Sequence, residues 1–539
     1  MTVKVLIAGN GASAIHTANE LSDNGIDIVL VSGKEIDRVN FLKDTSQKED
    51  TGILIYSDSE IISCKGCVND FQITIRSNEK DISETVSGIV IAEEYRRKDN
   101  FESYGLTPSH SVVALSEITN AIEGRSNHPA LLKEGLKVLF LTGCFQESNP
   151  VILNEVMTSA LQLQKKYHQE VFILTGNLKV GGEGLEKFYR ETKEAGVFYA
   201  KVNHVPPVVE QPDNGRVTVV YRDEILQSLI KISPDVVVVD EELLPSENLE
   251  ALARVFELNQ DKTGFLQTDN VHREPVFTNR KGILAAGPSR RIADHHAYLD
   301  DAANAALVMM NLTGEKTGSD PVGKARIGVV ECARCLTCFR ICPHKAIRLE
   351  GRVMVYADAC EGCGICIAEC PREYITKTGP GISDDLEKIH ISRMADQTED
   401  FIPVIVAFCC TRSAGRSFHL ATDQFQSSLP QGLKIVEVPC AGGISTGHIL
   451  STFMKGADGV ILLTCHPGNC YSEVGNQYAK SRAENVKSRL SVMGFEKERL
   501  HLETIAANME TEFVRIVNAF QTQLLKIGPS AIRKNLKNS

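Results

Sequence analysis

The 539-residue chain lacks features that mark two large classes of protein. Its longest apolar runs, VIVAF at 404–408 and GVILL at 459–463, fall far short of the ~18 apolar residues that span a bilayer. It also lacks an excess of basic residues, since 58 lysines and arginines stand against 69 aspartates and glutamates and give a net charge of -11. Binding to a nucleic-acid backbone requires a basic surface. We therefore expect neither a membrane span nor a nucleic-acid partner.

The chain also lacks a secretory signal, a low-complexity tract and a recognisable hydrolase motif. The N-terminal MTVKVLIAGNG leads directly into a strand, without the charged and apolar regions of a signal peptide. We expect a cytoplasmic location, with any membrane association made through partner subunits. The content of 42% hydrophobic and 24% charged residues is typical of a globular protein, and the length predicts three or four domains.

Cysteine, in contrast, is abundant. The chain has 16 cysteines, and most of them lie between Cys332 and Cys470. Disulfide scaffolds occur in small secreted proteins and spread their cysteines widely. Clustered thiols in a long cytosolic chain indicate metal binding instead.

Two cysteine quartets share the spacing C-x2-C-x2-C-x3-C-P. They are Cys332, Cys335, Cys338 and Cys342 before Pro343, and Cys360, Cys363, Cys366 and Cys370 before Pro371. In two-cluster ferredoxins the last cysteine of each quartet ligates the other [4Fe–4S] cluster. The spacing therefore predicts one cluster on the first three cysteines of the first quartet with Cys370, and a second on the first three of the second quartet with Cys342. A structural zinc site is the alternative, but it gives no reason for doubled triplets closed by prolines.

The chain opens with a strand, the turn GNGASA and a helix, which form a dinucleotide-binding pattern. Gly9 allows the tight turn, Gly11 lets a diphosphate approach the backbone, and Ala14 keeps helix and strand close. The acidic residue expected after the second strand is replaced by Ser32, so Glu35 or the backbone is left to hold the ribose. The alternative is a Rossmann-type unit that has lost its nucleotide.

Five further cysteines lie near the C-terminus, each group directly after a short apolar run. They are Cys409, Cys410, Cys440, Cys465 and Cys470. Because parallel strands end at one edge of a sheet, we expect these thiols to meet there and four of them to bind a [2Fe–2S] cluster. Adjacent residues of a strand point to opposite faces, so we expect only one of Cys409 and Cys410 to face the cluster. His466 is either a ligand or a hydrogen-bond donor to sulfur. The alternative is a set of buried, inert cysteines.

The overall pattern predicts the α/β class with five segments. Residues 1–130 and 231–318 form a Rossmann-type FAD-binding domain into which a second nucleotide-type unit, 131–230, is inserted. Residues 324–378 form a two-cluster ferredoxin module, 379–398 a linker and 399–539 a C-terminal α/β iron–sulfur domain.

The motifs of the two halves resemble two known families. GNGASA, GLEKFYRETKEAGV (184–197) and TNRKGILAAGP (278–288) resemble the flavoprotein component of heterodisulfide reductase, its A subunit. FCC, VPCAGG, KGADGVILLTCHPGNC and GNQYAKSRAENVK resemble the delta subunit of the methyl-viologen-reducing hydrogenase. The same layout is found in the B subunit of the quinone-interacting membrane-bound oxidoreductase. The chain departs from these patterns at Ser32, at Pro288 and at Ser413, where the delta subunit usually has a third cysteine.

The resemblance implies an electron-transfer flavoprotein subunit that is active only within a complex. FAD would lie over Gly9–Ala14 with its flavin end near Gly287. The implied partners are other redox subunits of a heterodisulfide-reductase-like complex, together with a membrane quinone module. The alternative function is that of a cluster-bearing adaptor whose nucleotide fold is empty.

Overall fold

The computed structural model describes residues 3–34, 52–126, 128–202, 205–212, 216–223, 226–266, 270, 272–314, 323–328, 332–389 and 401–538. Within these ranges, no helix is long and apolar enough to cross a membrane. The chain divides into two compact units. The first contains Met1–Glu93, Asn248–Ala286 and Leu299–Ser539, and the second contains Glu94–Glu247 and Gly287–Tyr298.

The first unit begins with a parallel sheet of five strands. In spatial order these are Ile283–Ala285, Gly88–Ile91, Lys4–Ala8, Asp27–Val31 and Ile53–Tyr56. The first strand of the chain is central, and the order is that of doubly wound nucleotide-binding folds. The helix Ala12–Asp23 connects the first two strands, and Gly25 follows its end with a φ of 75°. The predicted α/β class is confirmed here.

An antiparallel sheet and two helices complete this part of the unit. The three strands Ser59–Cys67, Asp70–Ser77 and Lys80–Val86 form a meander. Along the chain it lies between the strands Ile53–Tyr56 and Gly88–Ile91 of the parallel sheet. The helices are Glu247–Phe256 and His295–Gly314, which belong to this unit from Asn248 and from Leu299 onward. Leu6, Phe71 and Phe256 are fully buried in the core that joins the parallel sheet to the meander.

The second unit has a parallel sheet of its own, flanked by helices. Its strands in spatial order are Phe198–Lys201, Glu170–Thr175, Lys137–Thr142, Val236–Val239 and Val112–Ala114. Its remaining elements are the helices Phe101–Tyr104, Leu115–Ile122, Pro150–Tyr167 and Leu185–Glu194, the antiparallel strands Val208–Glu210, Thr218–Arg222 and Leu229–Ile232, and the paired strands Arg96–Asp99 and Glu241–Leu244.

The second unit is larger than the insertion predicted at 131–230. Val112–Ala114 and Val236–Val239, which the sequence assigned to the FAD-binding domain, pair with each other inside the second sheet. Val236–Val239 also pairs with the central strand Lys137–Thr142. The flanking segments therefore belong to the second unit because their strands complete its sheet.

Two antiparallel strand pairs and two short helices make up the cysteine-rich module of the first unit. Ala325–Ile327 pairs with Ile375–Lys377, and Ile347–Glu350 pairs with Arg352–Val355. The short helices Thr337–Ile341 and Ile365–Ala368 follow the first three-cysteine loop of each quartet. The module is therefore organised as two similar halves.

The C-terminal domain is built on a parallel sheet of four strands. Their spatial order is Leu433–Val438, Ile405–Cys410, Gly459–Thr464 and Leu500–Thr504. The helices around it are Ala414–Phe425, Thr446–Met454, Gly475–Val492, Glu510–Ile527 and Ala531–Asn538. This order resembles that of flavodoxin-like folds, in which ligands bind where the chain switches direction across the sheet.

The segment predicted as a linker, 379–398, contains regular structure. The helix Ile382–Lys388 buries Leu386 in the core of the C-terminal domain. Residues 390–398 lie outside the described residues. The first half of the linker therefore belongs to the C-terminal domain.

Candidate functional site

The eight cysteines of the two quartets line two separate cavities. One, the Cys363 cavity, is lined by the four cysteines Cys342, Cys360, Cys363 and Cys366. The other, the Cys335 cavity, is lined by Cys332, Cys335, Cys338 and Cys370. Each cavity thus combines three cysteines of one quartet with the last cysteine of the other, as the crossed ligand assignment requires.

Left-handed backbone conformations bend both cysteine loops. In the first loop Arg334 and Leu336 have φ values of 53° and 59°, and in the second Gly362 and Gly364 have values of 65° and 77°. These residues stand on either side of the middle cysteine of each triplet. The conformation costs about 1–2 kcal/mol for a residue other than glycine. Such strain concentrates at functional sites, where the surrounding structure holds it in place.

The middle cysteines of the two triplets differ in their exposure to solvent. Cys335 is exposed, and a hydrogen bond with the Thr337 hydroxyl lowers the pKa of its thiol. Burial raises the pKa of the Cys363 thiol to about 12. Backbone N–H groups point at sulfur in the Cys363 cavity, because Ala325 N donates to Cys360 Sγ at 3.4 Å and Ala346 N to Cys342 Sγ at 3.4 Å. Hydrogen bonds to sulfur tune the potential of an iron–sulfur cluster.

In the part of the chain that the structure describes, no group of three or more His, Cys, Asp and Glu side chains has the arrangement of a single-ion site.

Four C-terminal cysteines form one buried group. They are Cys410, Cys440, Cys465 and Cys470, each 2–3% exposed. Cys410 ends the strand Ile405–Cys410, Cys465 directly follows the strand Gly459–Thr464, and the other two lie on loops beyond strand ends. The parallel sheet therefore brings these thiols together at its carboxyl edge, as the sequence predicts.

Cys409 does not join this group. It is fully buried on the opposite face of the sheet, in a core that includes Ala407, Leu463 and Phe513. Adjacent residues of a strand point to opposite faces, so only one of the two neighbouring cysteines can face the edge group. Burial raises the pKa of the Cys409 thiol well above its usual range.

The four grouped thiols share hydrogen bonds. Cys410 Sγ lies 3.6 Å from Cys465 Sγ, and this contact lowers the pKa of Cys410 to about 7. Hydrogen bonds from Cys440 and Cys465 lower the pKa of Cys470. The same hydrogen bonds raise the pKa of the Cys440 and Cys465 thiols, so each pair contains one thiol that favours the thiolate, the form that binds metal, and one that favours the protonated form.

Ser413 and His466 lie next to this group and make different contacts. Ser413 Oγ lies 3.3 Å from Cys465 Sγ, so a hydroxyl touches the group at the position where the family pattern offers a further thiol. His466 is half-buried, and its backbone carbonyl accepts a hydrogen bond from Asn476 Nδ2 at 3.1 Å.

The N-terminal turn has a backbone that only glycine permits. Gly9 has a φ of 139°, and a Cβ there would lie 2.0 Å from the carbonyl oxygen of Ala92. The helix Ala12–Asp23 begins at Gly11 without a side-chain cap, which leaves its first N–H groups available to an anion. Ser13 Oγ is buried and has no hydrogen-bond partner among the described residues, and Ala14 is fully buried. These features fit a diphosphate.

Ser32 and Glu35 are the residues that the sequence places near the ribose of the nucleotide. Ser32 is buried, and its hydroxyl accepts a hydrogen bond from Lys34 N at 3.0 Å. Glu35 lies outside the described residues.

Gly287 begins the short turn Gly287–Ser289 of the second unit, with a φ of 55°.

The sequence did not reveal a contact between two of the cysteine groups. Cys363 packs against the group formed by Cys410, Cys440, Cys465 and Cys470. The available signal was the glycine pair that follows Cys440 in VPCAGG, since glycine pairs permit close backbone contacts.

Comparison with known proteins assigns the C-terminal domain. Residues 405–528 match the family described as methyl-viologen-reducing hydrogenase, delta subunit. This part of the chain is 32% identical over 140 residues to the iron-sulfur D subunit of the F420-non-reducing hydrogenase vhc of Methanococcus voltae, and the match covers 25% of this chain and 94% of that protein. The chain belongs to this delta-subunit family. Its resemblance to the hydrogenase protein is therefore confirmed.

A longer part of the chain matches a component of a second oxidoreductase. It is 26% identical over 354 residues to the A subunit of the ferredoxin/F420H2-dependent CoB-CoM heterodisulfide reductase of Methanosarcina acetivorans, covering 66% of this chain and 44% of that protein. The chain thus spans less than half the length of this relative. The predicted joining of the two families in one chain is confirmed.

A solved structure, the thioredoxin reductase of T. acidophilum, is similar at a TM-score of 0.41 and 16% identity, over 58% of this chain and 98% of that one.

Proposed function

We propose that this chain is an electron-transfer subunit of a larger oxidoreductase complex. It would carry one FAD, two [4Fe–4S] clusters and a [2Fe–2S] cluster in the C-terminal domain. The observation that carries the proposal is the grouping of twelve cysteines into three sets of four, two of which meet at Cys363.

The two ferredoxin-type sets are the proposed ligands of the [4Fe–4S] clusters. A cubane needs four thiolates, and each cavity offers four thiols from both quartets. The strained backbone at Arg334 and Leu336 turns the first loop around its cavity. Glycines at the equivalent positions achieve the same turn in the second loop without strain.

The C-terminal set is the proposed ligand set of the third cluster. Cys410, Cys440, Cys465 and Cys470 supply four thiols, whereas Cys409 lies across the sheet. Ser413 would hydrogen-bond to a ligating sulfur rather than ligate the metal itself.

The flavin would be held by the N-terminal turn. Gly9 and Gly11 would admit the diphosphate, and Ala14 would hold the helix against the strand. When bound, a flavin exchanges electrons in pairs or singly, whereas each iron–sulfur cluster exchanges one at a time. The chain's own contribution is to hold these centres in fixed positions.

The proposed partners follow from the relatives. One relative is a component of a heterodisulfide reductase and another is a component of a hydrogenase. We propose that partner redox subunits of these kinds supply and remove the electrons, with a membrane quinone module as one acceptor.

The test is the cofactor content of the full chain purified without oxygen. We expect about ten iron atoms per chain, eight in two cubanes and two in the third cluster, with matching sulfide and one flavin. Cys335→Ser should lower the iron content, whereas the control Cys64→Ser changes a half-buried cysteine outside all three sets and should leave it unchanged.

Two results would contradict the proposal. Zinc in place of iron would exclude electron transfer through the cysteine sets. A full complement of iron without flavin, in folded protein, would favour the adaptor function instead.

A further inference from the structure

The contact at Cys363 brings two proposed cluster sites together. Cys363 lines the Cys363 cavity and also packs against the four C-terminal cysteines. A single residue therefore stands between the two sites. This inference rests on the proposed function, because it assumes that both sites hold clusters.

Glycine makes this contact possible on both sides. A Cβ on Gly443 would lie 2.7 Å from the carbonyl oxygen of Cys363 and 3.3 Å from the Cα of Gly364. A Cβ on Gly364 would in turn lie 3.1 Å from the Cα of Gly443. The two backbones meet with no room for a side chain, directly beside Cys363 on one side and three residues after Cys440 on the other.

Gly442 and Gly475 also lie in close contact with their neighbours at this site. A Cβ on Gly475 would lie 2.3 Å from Cys440 Sγ and 3.3 Å from Cys470 Sγ. A Cβ on Gly442 would lie 2.7 Å from Cγ1 of Ile365, the residue that begins the short helix after Cys363. The ferredoxin loop and the C-terminal site are thus in contact over several residues.

Buried polar contacts fix the orientation of the two modules. Arg482 Nε donates to Glu369 Oε1 at 2.9 Å, and Arg482 Nη2 donates to the carbonyl oxygen of Gly442 at 2.6 Å. Nearby, His344 Nε2 and Ser472 Oγ form a buried hydrogen bond of 3.3 Å. Because the contacts Arg482–Glu369 and His344–Ser472 join the ferredoxin module to the C-terminal domain, the separation of the two sites is set by packing and not by a flexible tether.

We propose that Gly443 is a positioning residue that sets this separation, so that the two clusters form a directly coupled pair. Magnetic coupling and electron-transfer rates both fall steeply with distance. A methyl group at position 443 must displace the Cys363 loop, because its closest neighbours are backbone atoms that cannot rotate away. The pair would then separate while all eight ligands remain in place.

The experiment measures electron paramagnetic resonance of the fully reduced full-length chain. We expect the wild type to show signals that are split or broadened by interaction between the C-terminal cluster and the cluster of the Cys363 cavity. Gly443→Ala should keep its iron but show a measurably smaller splitting than the wild type. Gly447→Ala is the matched control, because its Cβ would meet only Ser445 Oγ at an ordinary 3.5 Å.

The outcomes separate this inference from the proposed function. Wild-type protein with full iron and no splitting overturns the inference alone, whereas wild-type protein without iron overturns the proposed function. Unchanged splitting in Gly443→Ala shows that position 443 does not set the separation. If Gly443→Ala loses iron, Gly364→Ala tests the same contact from the ferredoxin side. Unchanged splitting in a Gly364→Ala protein that retains its iron also overturns the role of the contact.

Discussion

The adjacent cysteines at positions 409 and 410 provide the sharpest test of the C-terminal site. Cys410 belongs to the group of four thiols, whereas Cys409 is fully buried on the other face of the sheet. The two residues have the same chemistry and neighbouring backbone positions. Substituting each by alanine therefore compares a proposed ligand with a core residue in nearly the same place.

The two substitutions should have different effects, one on cluster content and the other on stability. Cys410→Ala removes one of four thiols, so we expect loss of the third cluster and of about two iron atoms per chain. Cys409→Ala removes one buried sulfur from an apolar core, and a deletion of this size costs about 0.5–1.5 kcal/mol of folding free energy. The third cluster should survive this loss. Cys409→Ser should cost more, about 1–3 kcal/mol, because it buries a hydroxyl in an apolar core.

The assay is iron content together with the paramagnetic signal of the third cluster in the full-length chain. The cluster of the Cys335 cavity serves as the internal standard, because neither Cys409 nor Cys410 lines that cavity. A thermal unfolding midpoint measured on the same samples reports the stability loss of the Cys409 variants. Loss of the third signal in Cys409→Ala with retention in Cys410→Ala would refute the assignment.

Two further predictions concern the other sites. Cys370→Ser should disrupt the cluster of the Cys335 cavity and spare the pair coupled through Cys363, whereas Cys342→Ser should disrupt the coupled pair and spare the cluster of the Cys335 cavity. The paramagnetic signal of the coupled pair distinguishes the two variants. Damage to the cluster held by each residue's own quartet would contradict the crossed ligand sets. Gly9→Ala should release flavin and lower the free energy of unfolding. Backbone strain alone costs about 1–3 kcal/mol. The loss should exceed this value, because the new Cβ would also lie 2.0 Å from a carbonyl oxygen. The control Gly25→Ala has a φ of 75° and open space around its Cβ, so flavin retained equally by both variants would argue against the site.

Features encoded in contiguous residues could be predicted from the sequence. The strand Lys4–Ala8, the helix Ala12–Asp23 and the glycine after it follow from apolar runs, helical periodicity and a left-handed end. The meeting of the C-terminal thiols follows from strand ends in a parallel sheet. Each of these inferences needs only local pattern and one general rule of topology.

Features that depend on distant pairing could not be predicted in the same way. Val112–Ala114 is a strand of three residues, and its partner Val236–Val239 lies far along the chain. Apolar runs do not say which sheet such a strand joins, so the boundary of the second unit was placed wrongly. The helix Ile382–Lys388 was missed because its polar residues face solvent and Leu386 alone is buried.

The two cysteine loops differ in a way that the contact at Cys363 explains. Both loops require left-handed residues around the middle cysteine, yet CARCLTC has Leu336 where CEGCGIC has Gly364. Leu336 is half-buried beside its own cavity, and the strain of its conformation is tolerated there. A side chain at Gly364 would meet the Cα of Gly443. Glycine in the second loop therefore meets two requirements, the turn and the approach of the C-terminal domain, and the difference between the loops identifies the cavity that faces that domain.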